Sequence, residues 1–241
     1  MNIGLIFAGG VGSRMNSREL PKQFLRIYDK PIIVHTIEHF EKCTDVDAVV
    51  VVCVADWIDY FNDLAYKYRL EKVKKVVPGG ASGQLSIYNG LVAAKVVAGE
   101  EKSVVLIHDG VRPLISSELL ARNIASVKKF GSSITNGIVK ETIVEIDDEG
   151  AIKLVPDRAH SRVAKAPQSF WLDDILLAHE KALAEGRKDF IDSCTMMQHY
   201  GFKLHMIDGP YENIKITTPD DFYTMRAILQ VKEDAQIYGI G

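Results

Sequence analysis

The stretch IFAGGVGSRM, residues 6–15, joins a short apolar run to a glycine-rich loop near the start of the chain. It lacks the Gly-Lys-Ser/Thr ending of a Walker A motif, and Met15 stands where a dinucleotide-binding fingerprint needs its third glycine. Glycines still allow backbone N–H groups to approach an anion closely. The loop therefore predicts a phosphate site of neither common nucleotide type; the alternative is an ordinary glycine turn.

Outward from this loop, apolar runs alternate with segments of helical spacing as far as residue 130. The predicted strands are 3–7, 47–54, 74–80 and 103–113, and the predicted helices are 32–43, 57–68, 86–98 and 117–130. Continuous β-branched strands are typical of a parallel sheet that is covered on both faces. The sequence thus predicts an α/β fold of Rossmann-like type, with a mostly parallel sheet and helices on both faces.

The pattern changes between residues 134 and 165, where β-branched residues alternate on either side of the turn DDEG at 147–150. This region predicts an antiparallel β-arm that projects from the sheet. Helical segments return at 172–185, at 190–200 and from Pro219, with a strand at 203–209 between them. Since no repeat or linker divides the sequence, residues 1–241 are interpreted as one domain that carries the arm.

Composition excludes several classes of protein. The net charge of −3 gives no overall attraction to nucleic acid or to an anionic membrane. The three cysteines, Cys43, Cys53 and Cys194, form no CxxC pair, which argues against a disulfide framework and a structural zinc site. The start of the chain has no basic region of a signal peptide, and the longest apolar run, 48–55, is shorter than the roughly 20 residues that cross a bilayer. We therefore expect a cytoplasmic protein with no nucleic-acid or membrane partner.

Charged residues follow predicted strands at the carboxyl edge of the sheet. Arg14 and Lys22 come after the first strand, and Asp109 and Arg112 after the fourth. Lys215 lies in a strand-like stretch before a helix that starts at a proline, where a lysine on a buried side is unusual without an anionic partner. Ligands of open α/β sheets bind at this edge, and cations with backbone amides suit a triphosphate. Asp109 is then a predicted Mg²⁺ ligand, although an ordinary Asp-Gly turn is the alternative.

Seven segments fall in the order and approximate spacing of one known family. They are AGGVGSRM (8–15), LPKQF (20–24), KPIIVHTIEHF (30–40), the glycine pair 79–80 with Ser86, HDGVRP (108–113), PQSF (167–170) and NIKITTPDD (213–221). The chain therefore resembles the 2-C-methyl-D-erythritol 4-phosphate cytidylyltransferases over residues 3–222. Within that family, HTIEHF (35–40) and ADW (55–57) are similar to the branch that acts on ribitol 5-phosphate.

This resemblance implies an enzyme that condenses CTP with a polyol phosphate, D-ribitol 5-phosphate in this branch, to a CDP-alcohol and pyrophosphate for wall or capsule polymers. It implies Arg14, Lys22 and Lys215 as catalytic residues, with Lys215 at the α-phosphate. The implied cofactor is Mg²⁺, held by Asp109 and by Glu212. The residues implied to line the nucleotide are Ala8, Gly9, Gly10, Gly12, Ser13, Gly80, Ser86, Asp109 and Gly110.

The resemblance also implies how the acceptor binds. Arg158 matches an arginine of the arm that reaches into the neighbouring subunit and binds the acceptor's phosphate, and Arg162 is its rival. Thr142, Arg112 and Asp192 are implied as further acceptor-binding residues. A homodimer through the arm is therefore expected, because an isolated two-stranded ribbon is marginally stable in water.

The chain departs from the family's pattern in three places near the acceptor. A hydroxyl residue is replaced by Ile191, QTPQ becomes KAPQ at 165–168, and an arginine after the second glycine pair becomes Gly83. These departures predict a changed acceptor pocket. Methylerythritol 4-phosphate stays open as the alternative acceptor, and a non-catalytic nucleotide-binding subunit is the alternative from another class.

Overall fold

The first strand of the chain lies inside a seven-stranded sheet in a computed structural model that describes residues 1–10 and 20–238. The strands of this sheet are β1 (Asn2–Ala8), β4 (Ala48–Cys53), β5 (Val73–Pro78), β6 (Val104–Asp109), β7 (Ser132–Ile138), β10 (Arg162–Trp171) and β11 (Met206–Asp208). Their order is β11-β7-β10-β6-β1-β4-β5. Strand β10 is antiparallel to β6 and β7, and the other adjacent pairs are parallel. The predicted mostly parallel sheet is confirmed.

The helices and the shorter strands complete the architecture. The helices are α1 (Ile32–Lys42), α2 (Ile58–Lys67), α3 (Gly83–Ala98), α4 (Ser117–Phe130), α5 (Leu172–Ala184), α6 (Ser193–His199) and α7 (Pro219–Tyr238). Single 3-10 turns span Lys22–Phe24, Ala55–Trp57 and Arg158–His160. Strands β2 (Arg26–Ile27) and β3 (Lys30–Pro31) pair with each other, as do β8 (Glu145–Ile146) and β9 (Ile152–Leu154).

The sheet is buried on both faces because its central strands are apolar without interruption. Every residue of β4, AVVVVC, is buried. Val49 and Val51 pack with residues of α1, α2 and α4, whereas Val50 packs on the opposite face with residues of α3 and α5. This alternation gives two cores, one on each side of the sheet, and confirms the predicted helices on both faces.

Strands β7 and β10 extend the sheet with a more polar sequence. Residues 132–137 of β7 are buried, although SSITNG is rich in hydroxyl and amide side chains. Asn136 donates from Nδ2 to the Ile207 carbonyl at 2.7 Å, and Ser132 donates from Oγ to the Lys203 carbonyl at 3.2 Å. Buried polar side chains are tolerated when they form such hydrogen bonds. The predicted arm, 134–165, thus begins inside β7 and ends inside β10, and its exposed part is the stretch between these strands.

Helices α3, α4 and α6 each begin at a side-chain cap. Ser82 accepts from the Leu85 amide at the start of α3, Ser116 from the Leu119 amide at the start of α4, and Asp192 from the Thr195 amide at the start of α6. Such caps satisfy amides that have no partner within the helix. Among the described residues, no helix is both long and apolar enough to cross a membrane.

Candidate active site

The carboxyl ends of β1 and β6 lie side by side and bring the first glycine loop next to Asp109. The Gly110 amide donates to the Phe7 carbonyl at 2.9 Å. A Cβ atom at Gly110 would lie 3.1 Å from the Cβ of Ala8, so glycine permits this close approach. Two of the predicted nucleotide-lining residues, Ala8 and Gly110, are therefore in contact.

Asp109, the last residue of β6, forms ion pairs with two cations. Its Oδ1 lies 2.6 Å from Lys215 Nζ, and its Oδ2 accepts from Arg112 Nε at 2.8 Å. Burial raises the pKa of this carboxyl, but the charges of Lys215 and Arg112 outweigh burial and hold the pKa at about 2. Asp109 is thus fully ionised at neutral pH, and its negative charge is paired with both Lys215 and Arg112.

An irregular segment around Lys215 is fixed to the sheet edge by main-chain hydrogen bonds. The Ile216 amide donates to the Val111 carbonyl at 3.0 Å, and Arg112 Nη1 donates to the Asn213 carbonyl at 3.0 Å. Lys22 Nζ donates to the Ile216 carbonyl at 3.1 Å from the other side. Lys22 and Lys215, far apart in the sequence, therefore meet on the same short segment, which is not the strand that its sequence pattern predicts.

The segment that carries Lys22 is held against β1 by its own neighbours. Gln23 is buried and donates from Nε2 to the Ala8 carbonyl at 2.7 Å. Phe24 is fully buried and stacks on Trp57 with ring centroids 5.3 Å apart. These two contacts fix the 3-10 turn, and with it the position from which the Lys22 side chain starts.

The two glycine pairs meet at the start of α3. A Cβ atom at Gly79 would lie 3.1 Å from Ser86 Oγ and 3.4 Å from the Cα of Gly9. Ser86 Oγ accepts from the Gly80 amide at 2.8 Å and donates to the Ser82 carbonyl at 2.8 Å. The loop after β1 and the loop after β5 are thus tied together, and Gly10 lies exposed beside them.

A cavity of about 270 Å³ opens beside Asp109 and runs between β10, α3 and α6. Asp109, Arg112 and Lys215 lie along it, together with Asp192. The Asp192 carboxylate accepts from Gln168 Nε2 at 2.9 Å and from the Thr195 amide at 2.8 Å. Asp192 therefore caps α6 and also holds Gln168 in the cavity wall. The cavity thus brings Asp192, a predicted site residue, close to the cluster of Asp109, Arg112 and Lys215.

Two buried histidines line the same cavity. Burial lowers the pKa of His108 to about 4 against its hydrogen bond to the Arg112 carbonyl, and burial also lowers the pKa of His179 to about 4. Both rings are therefore neutral at pH 7. His108 positions the turn that carries Arg112.

One cation on the cavity wall, Lys165, was not among the predicted site residues. Its Nζ donates to the Tyr211 carbonyl at 3.2 Å. Burial lowers its pKa, as does the positive charge of Arg112, while Glu212 raises it. The sequence carries one signal for it, the KAPQ stretch at 165–168, which departs from the family's pattern.

Glu212, Arg158 and Thr142 are predicted site residues that neither line this cavity nor belong to the glycine loops. Glu212 pairs with Lys232, Oε1 to Nζ, at 3.3 Å. Its pKa is lowered first by a hydrogen bond from its own amide, against burial, and then by Lys232. Arg158 and Thr142 are exposed on the arm, where Arg158 Nη1 donates to the Lys140 carbonyl at 3.3 Å. Glu212 can therefore take its predicted role only if its side chain moves. Arg158 and Thr142 can take theirs only if the arm moves or if they act on the cavity of another subunit.

Part of the predicted site lies outside the described residues, namely Gly12, Ser13 and Arg14. Their roles stay predictions.

The residues of this site suit a magnesium ion that enters already bound to the phosphates of a nucleotide. Within the described residues, no group of three His, Cys, Asp or Glu side chains is arranged to hold a metal ion. Mg²⁺ commonly uses one or two carboxylates, substrate phosphates and water. The ionised Asp109 supplies one such carboxylate, so the donor set suits a metal that enters with a triphosphate.

Comparison with known proteins identifies the family of this chain. The model of the IspD family, 2-C-methyl-D-erythritol 4-phosphate cytidylyltransferase, matches residues 3–231. The chain belongs to this family. It is an enzyme, a CTP-dependent nucleotidyltransferase, and the alternative of a non-catalytic binding subunit is set aside.

Curated and solved relatives of this cytidylyltransferase support the same family. A protein of Streptococcus agalactiae serotype III, named ribitol-5-phosphate cytidylyltransferase, is 55% identical over 240 residues and covers 100% of both chains. A protein of the same name from Vibrio parahaemolyticus is 51% identical over 99% of this chain and 100% of its own. The crystal structure of the 4-diphosphocytidyl-2C-methyl-D-erythritol synthase of Anaerococcus prevotii superposes with a TM-score of 0.82 at 28% identity, over 95% of this chain and 96% of that one. The resemblance stated from the sequence is confirmed.

Proposed function

We propose that the protein condenses CTP with D-ribitol 5-phosphate to CDP-ribitol and pyrophosphate. The observation that carries this proposal is the full-length similarity to the streptococcal and Vibrio enzymes of that name, above half identity in both. The cationic edge around Asp109 supplies the chemistry that such a reaction needs. Its product is an activated form of ribitol phosphate, suited to the synthesis of wall or capsule polymers, and we place the reaction in the cytoplasm.

The reaction needs no general base. A phosphate oxygen of the acceptor is already anionic, so it attacks the α-phosphorus of CTP directly. The new bond joins this oxygen to the α-phosphorus, and the bond from the α-phosphorus to the bridging oxygen of the β-phosphate breaks. Pyrophosphate leaves with that oxygen and its electron pair. Burial lowers the pKa of His108 and of His179 to about 4, so both are weak bases at neutral pH, which agrees with a step that needs no general base.

The task of the protein is then to bring two polyanions together and to neutralise charge on the transition state. We assign Lys215 to the α-phosphate, and Lys22, with Arg14, to the β- and γ-phosphates. The position of Lys215 on Asp109, and the contact of Lys22 with the next residue along the segment, support this assignment. Asp109 holds Lys215 in a defined place before the nucleotide arrives.

We assign the metal to Asp109, with Glu212 as a second candidate that would first have to leave Lys232. When bound, Mg²⁺ supplies neutralisation of charge on the triphosphate and the leaving pyrophosphate. Asp109 contributes an ionised oxygen, and Arg112 and Lys215 keep that oxygen at the edge of the cavity.

The nucleotide is assigned to the glycine loops. Close contact between the Gly9 and Gly79 backbones leaves no side chain between the loops, and Ser86 fixes the Gly80 amide. Backbone groups of such loops, together with the N-terminal end of α3, can contact a phosphate or a pyrimidine ring without a side chain in the way. Gly10 and Gly110 complete this surface.

The acceptor's phosphate is assigned to Arg112 of one subunit and to Arg158 and Thr142 of a second, and the polyol part of the acceptor is assigned to Asp192. This assignment includes a homodimer through the arm. It is supported by the exposure of Arg158 and Thr142, which lie away from the cavity of their own subunit. Apolar side chains exposed along the same arm support an interface there.

Pyrophosphate release tests the proposed function. The purified protein is assayed with CTP, Mg²⁺ and either D-ribitol 5-phosphate or 2-C-methyl-D-erythritol 4-phosphate. We expect kcat/KM to be higher for ribitol 5-phosphate by a factor of 100 or more, on the order of what a mismatched polar pocket costs. A preference for methylerythritol 4-phosphate would replace the proposed acceptor, and release with neither would refute both.

A further inference from the structure

Within the described residues, three cations line the cavity beside Asp109, and they differ in their ion-pair partners. Arg112 and Lys215 are both paired with the Asp109 carboxylate. Lys165 shares the cavity wall, and no carboxylate of the described residues lies within ion-pair distance of its Nζ. Its positive charge is therefore available to an anion that enters the cavity.

The side chain of Lys165 is held in place along its whole length. It starts from β10 and passes over β7, where a Cβ atom at Gly137 would lie 2.8 Å from Lys165 Cε and 3.2 Å from its Nζ. The ammonium group ends at the Tyr211 carbonyl, its one hydrogen-bond acceptor among the described residues. A lysine ammonium carries three donors, so hydrogen bonds from Lys165 to a ligand remain open.

Charge around Lys165 favours an anionic ligand. Partial burial lowers the pKa of Lys165, the charge of Arg112 lowers it further, and the charge of Glu212 acts in the opposite direction. Lys140 lies over the ring of Tyr211 with Nζ 3.4 Å from its centroid, and Lys165 Nζ lies 5.9 Å from the same centroid, so two ammonium groups lie near one ring. Because burial and Arg112 both disfavour the charged form of Lys165, an anion that enters the cavity beside it would stabilise that form.

We propose that Lys165 binds the phosphate of the acceptor and thereby contributes to the selection of a phosphorylated polyol. This inference rests on the proposed function for the identity of the acceptor. The nucleotide is assigned to the glycine loops at the other side of Asp109, so Lys165 acts on the acceptor and not on CTP. A charge-assisted hydrogen bond of this kind changes binding by about 10- to 100-fold.

The test compares Lys165→Gln with wild type in steady-state assays of pyrophosphate release. We expect the KM for the acceptor to rise at least about tenfold, while the KM for CTP and the melting temperature stay near their wild-type values. Lys165→Arg keeps the charge and recovers part of the loss. Lys203→Gln, the same substitution at an exposed lysine outside the cavity, is the matched control and leaves both KM values unchanged.

Inorganic phosphate separates this inference from the identity of the acceptor. It competes with the acceptor in wild type, and we expect its inhibition constant to rise in Lys165→Gln. If wild type uses methylerythritol 4-phosphate in place of ribitol 5-phosphate, the proposed acceptor is wrong, and the same comparison is made with the acceptor that is used. Unchanged values for the acceptor KM and for phosphate inhibition in Lys165→Gln overturn the role of Lys165. A rise in both KM values together overturns its selectivity for the acceptor.

Discussion

At the scale of single residues, the site depends on Lys215 being held at one place by Asp109. The 2.6 Å ion pair and the irregular segment around it fix the ammonium before any ligand binds. An ammonium held in this way needs no reorganisation when charge develops on the α-phosphate, which is the condition for strong electrostatic catalysis. We therefore expect Lys215 to contribute to the rate more than to binding.

The corresponding prediction concerns Lys215→Ala. We expect kcat to fall by about 100- to 1,000-fold, the usual loss for one preorganised donor, with CTP affinity reduced much less. Pyrophosphate release gives kcat, and calorimetric titration with CTP gives the affinity. Lys128→Ala, at an exposed position on α4, is the control. Turnover near the wild-type rate in Lys215→Ala would exclude the assigned role.

Two buried histidines predict how stability depends on pH. The pKa of His108 and of His179 is lowered by burial to about 4, whereas in the unfolded chain a histidine titrates near pH 6.5. The unfolded state therefore binds more protons between these values, and the free energy of unfolding falls as pH decreases through this window. Asp109 acts in the same direction in a more acidic window: its contribution is present above its unfolded pKa near 4 and is lost as pH falls through its folded pKa of about 2.

The expected size is about 2 kcal/mol for each histidine between pH 7 and pH 5. Urea unfolding of wild type and of His179→Leu at both pH values measures it. The variant should lose about 2 kcal/mol less than wild type on acidification, because one of the two neutral rings is gone. His199→Leu, at an exposed position on α6, keeps the wild-type pH dependence. Equal losses in wild type and His179→Leu would assign the acid sensitivity elsewhere.

At the scale of secondary-structure elements, the arm presents an apolar surface on a ribbon that is too small to bury it. Ile146 and Ile152 are cross-strand partners on β8 and β9, with exposures of 61% and 64%. Directly paired residues share a face of the ribbon, so both side chains lie on the same face. A two-stranded ribbon of this size is marginally stable alone, and a partner that covers this face would stabilise it.

The prediction for the arm is that Ile146→Lys combined with Ile152→Lys shifts a dimer to monomers. Charged side chains would be buried at the interface without partners, which costs several kcal/mol. Light scattering over a range of protein concentrations gives the mass, and circular dichroism checks that the fold is kept. Glu149→Lys, in the turn of the same arm, is the control and stays dimeric. A double variant with unchanged mass would move the interface away from this face.

The sequence predicts best those helices and strands whose buried residues are apolar. β4 and α4 differ from their predicted ranges by at most one residue at either end, since AVVVVC and the capped amphipathic SELLARNIASVKKF each carry a complete local signal. β7 carries the opposite signal. Ser133, Thr135 and Asn136 are buried in this strand, and their burial depends on partners from α4, β10 and β11 that no local pattern contains. Local sequence patterns therefore do not indicate where β7 ends and the exposed stretch after it begins.

The same distinction applies to the site. Asp109 and Arg112 could be predicted because a polar turn directly follows a buried strand, and the carboxyl ends of parallel strands share an edge. The contact of Lys22 with the segment of Lys215 depends on how an irregular segment crosses that edge, which only the folded chain defines. The sequence does not indicate that Lys165 lies at the cavity, because its position depends on Gly137 of a neighbouring strand, which has no side chain and so leaves room for the lysine.

At the scale of the whole molecule, one chain places the residues that we propose to bind its substrates in two separate regions. Asp109, Arg112 and Lys215 lie at the cavity, whereas Arg158 lies exposed on the arm and donates to the Lys140 carbonyl. A symmetric dimer in which each arm serves the other subunit's cavity would reunite them, and a two-fold interface makes both exchanges at once. The active site would then be complete only in the dimer.

Mixing two defective variants tests this arrangement. Lys215→Ala and Arg158→Ala are dissociated, mixed in equal amounts and allowed to reassociate, then assayed at an acceptor concentration below KM. If Arg158 acts on the partner's cavity, each mixed dimer has one intact site, since one cavity keeps Lys215 and receives a wild-type arm. Random reassociation makes half of the dimers mixed, so we expect about a quarter of wild-type activity. If Arg158 acts within its own subunit, every site carries one lesion, and mixing recovers no activity beyond the average of the two variants.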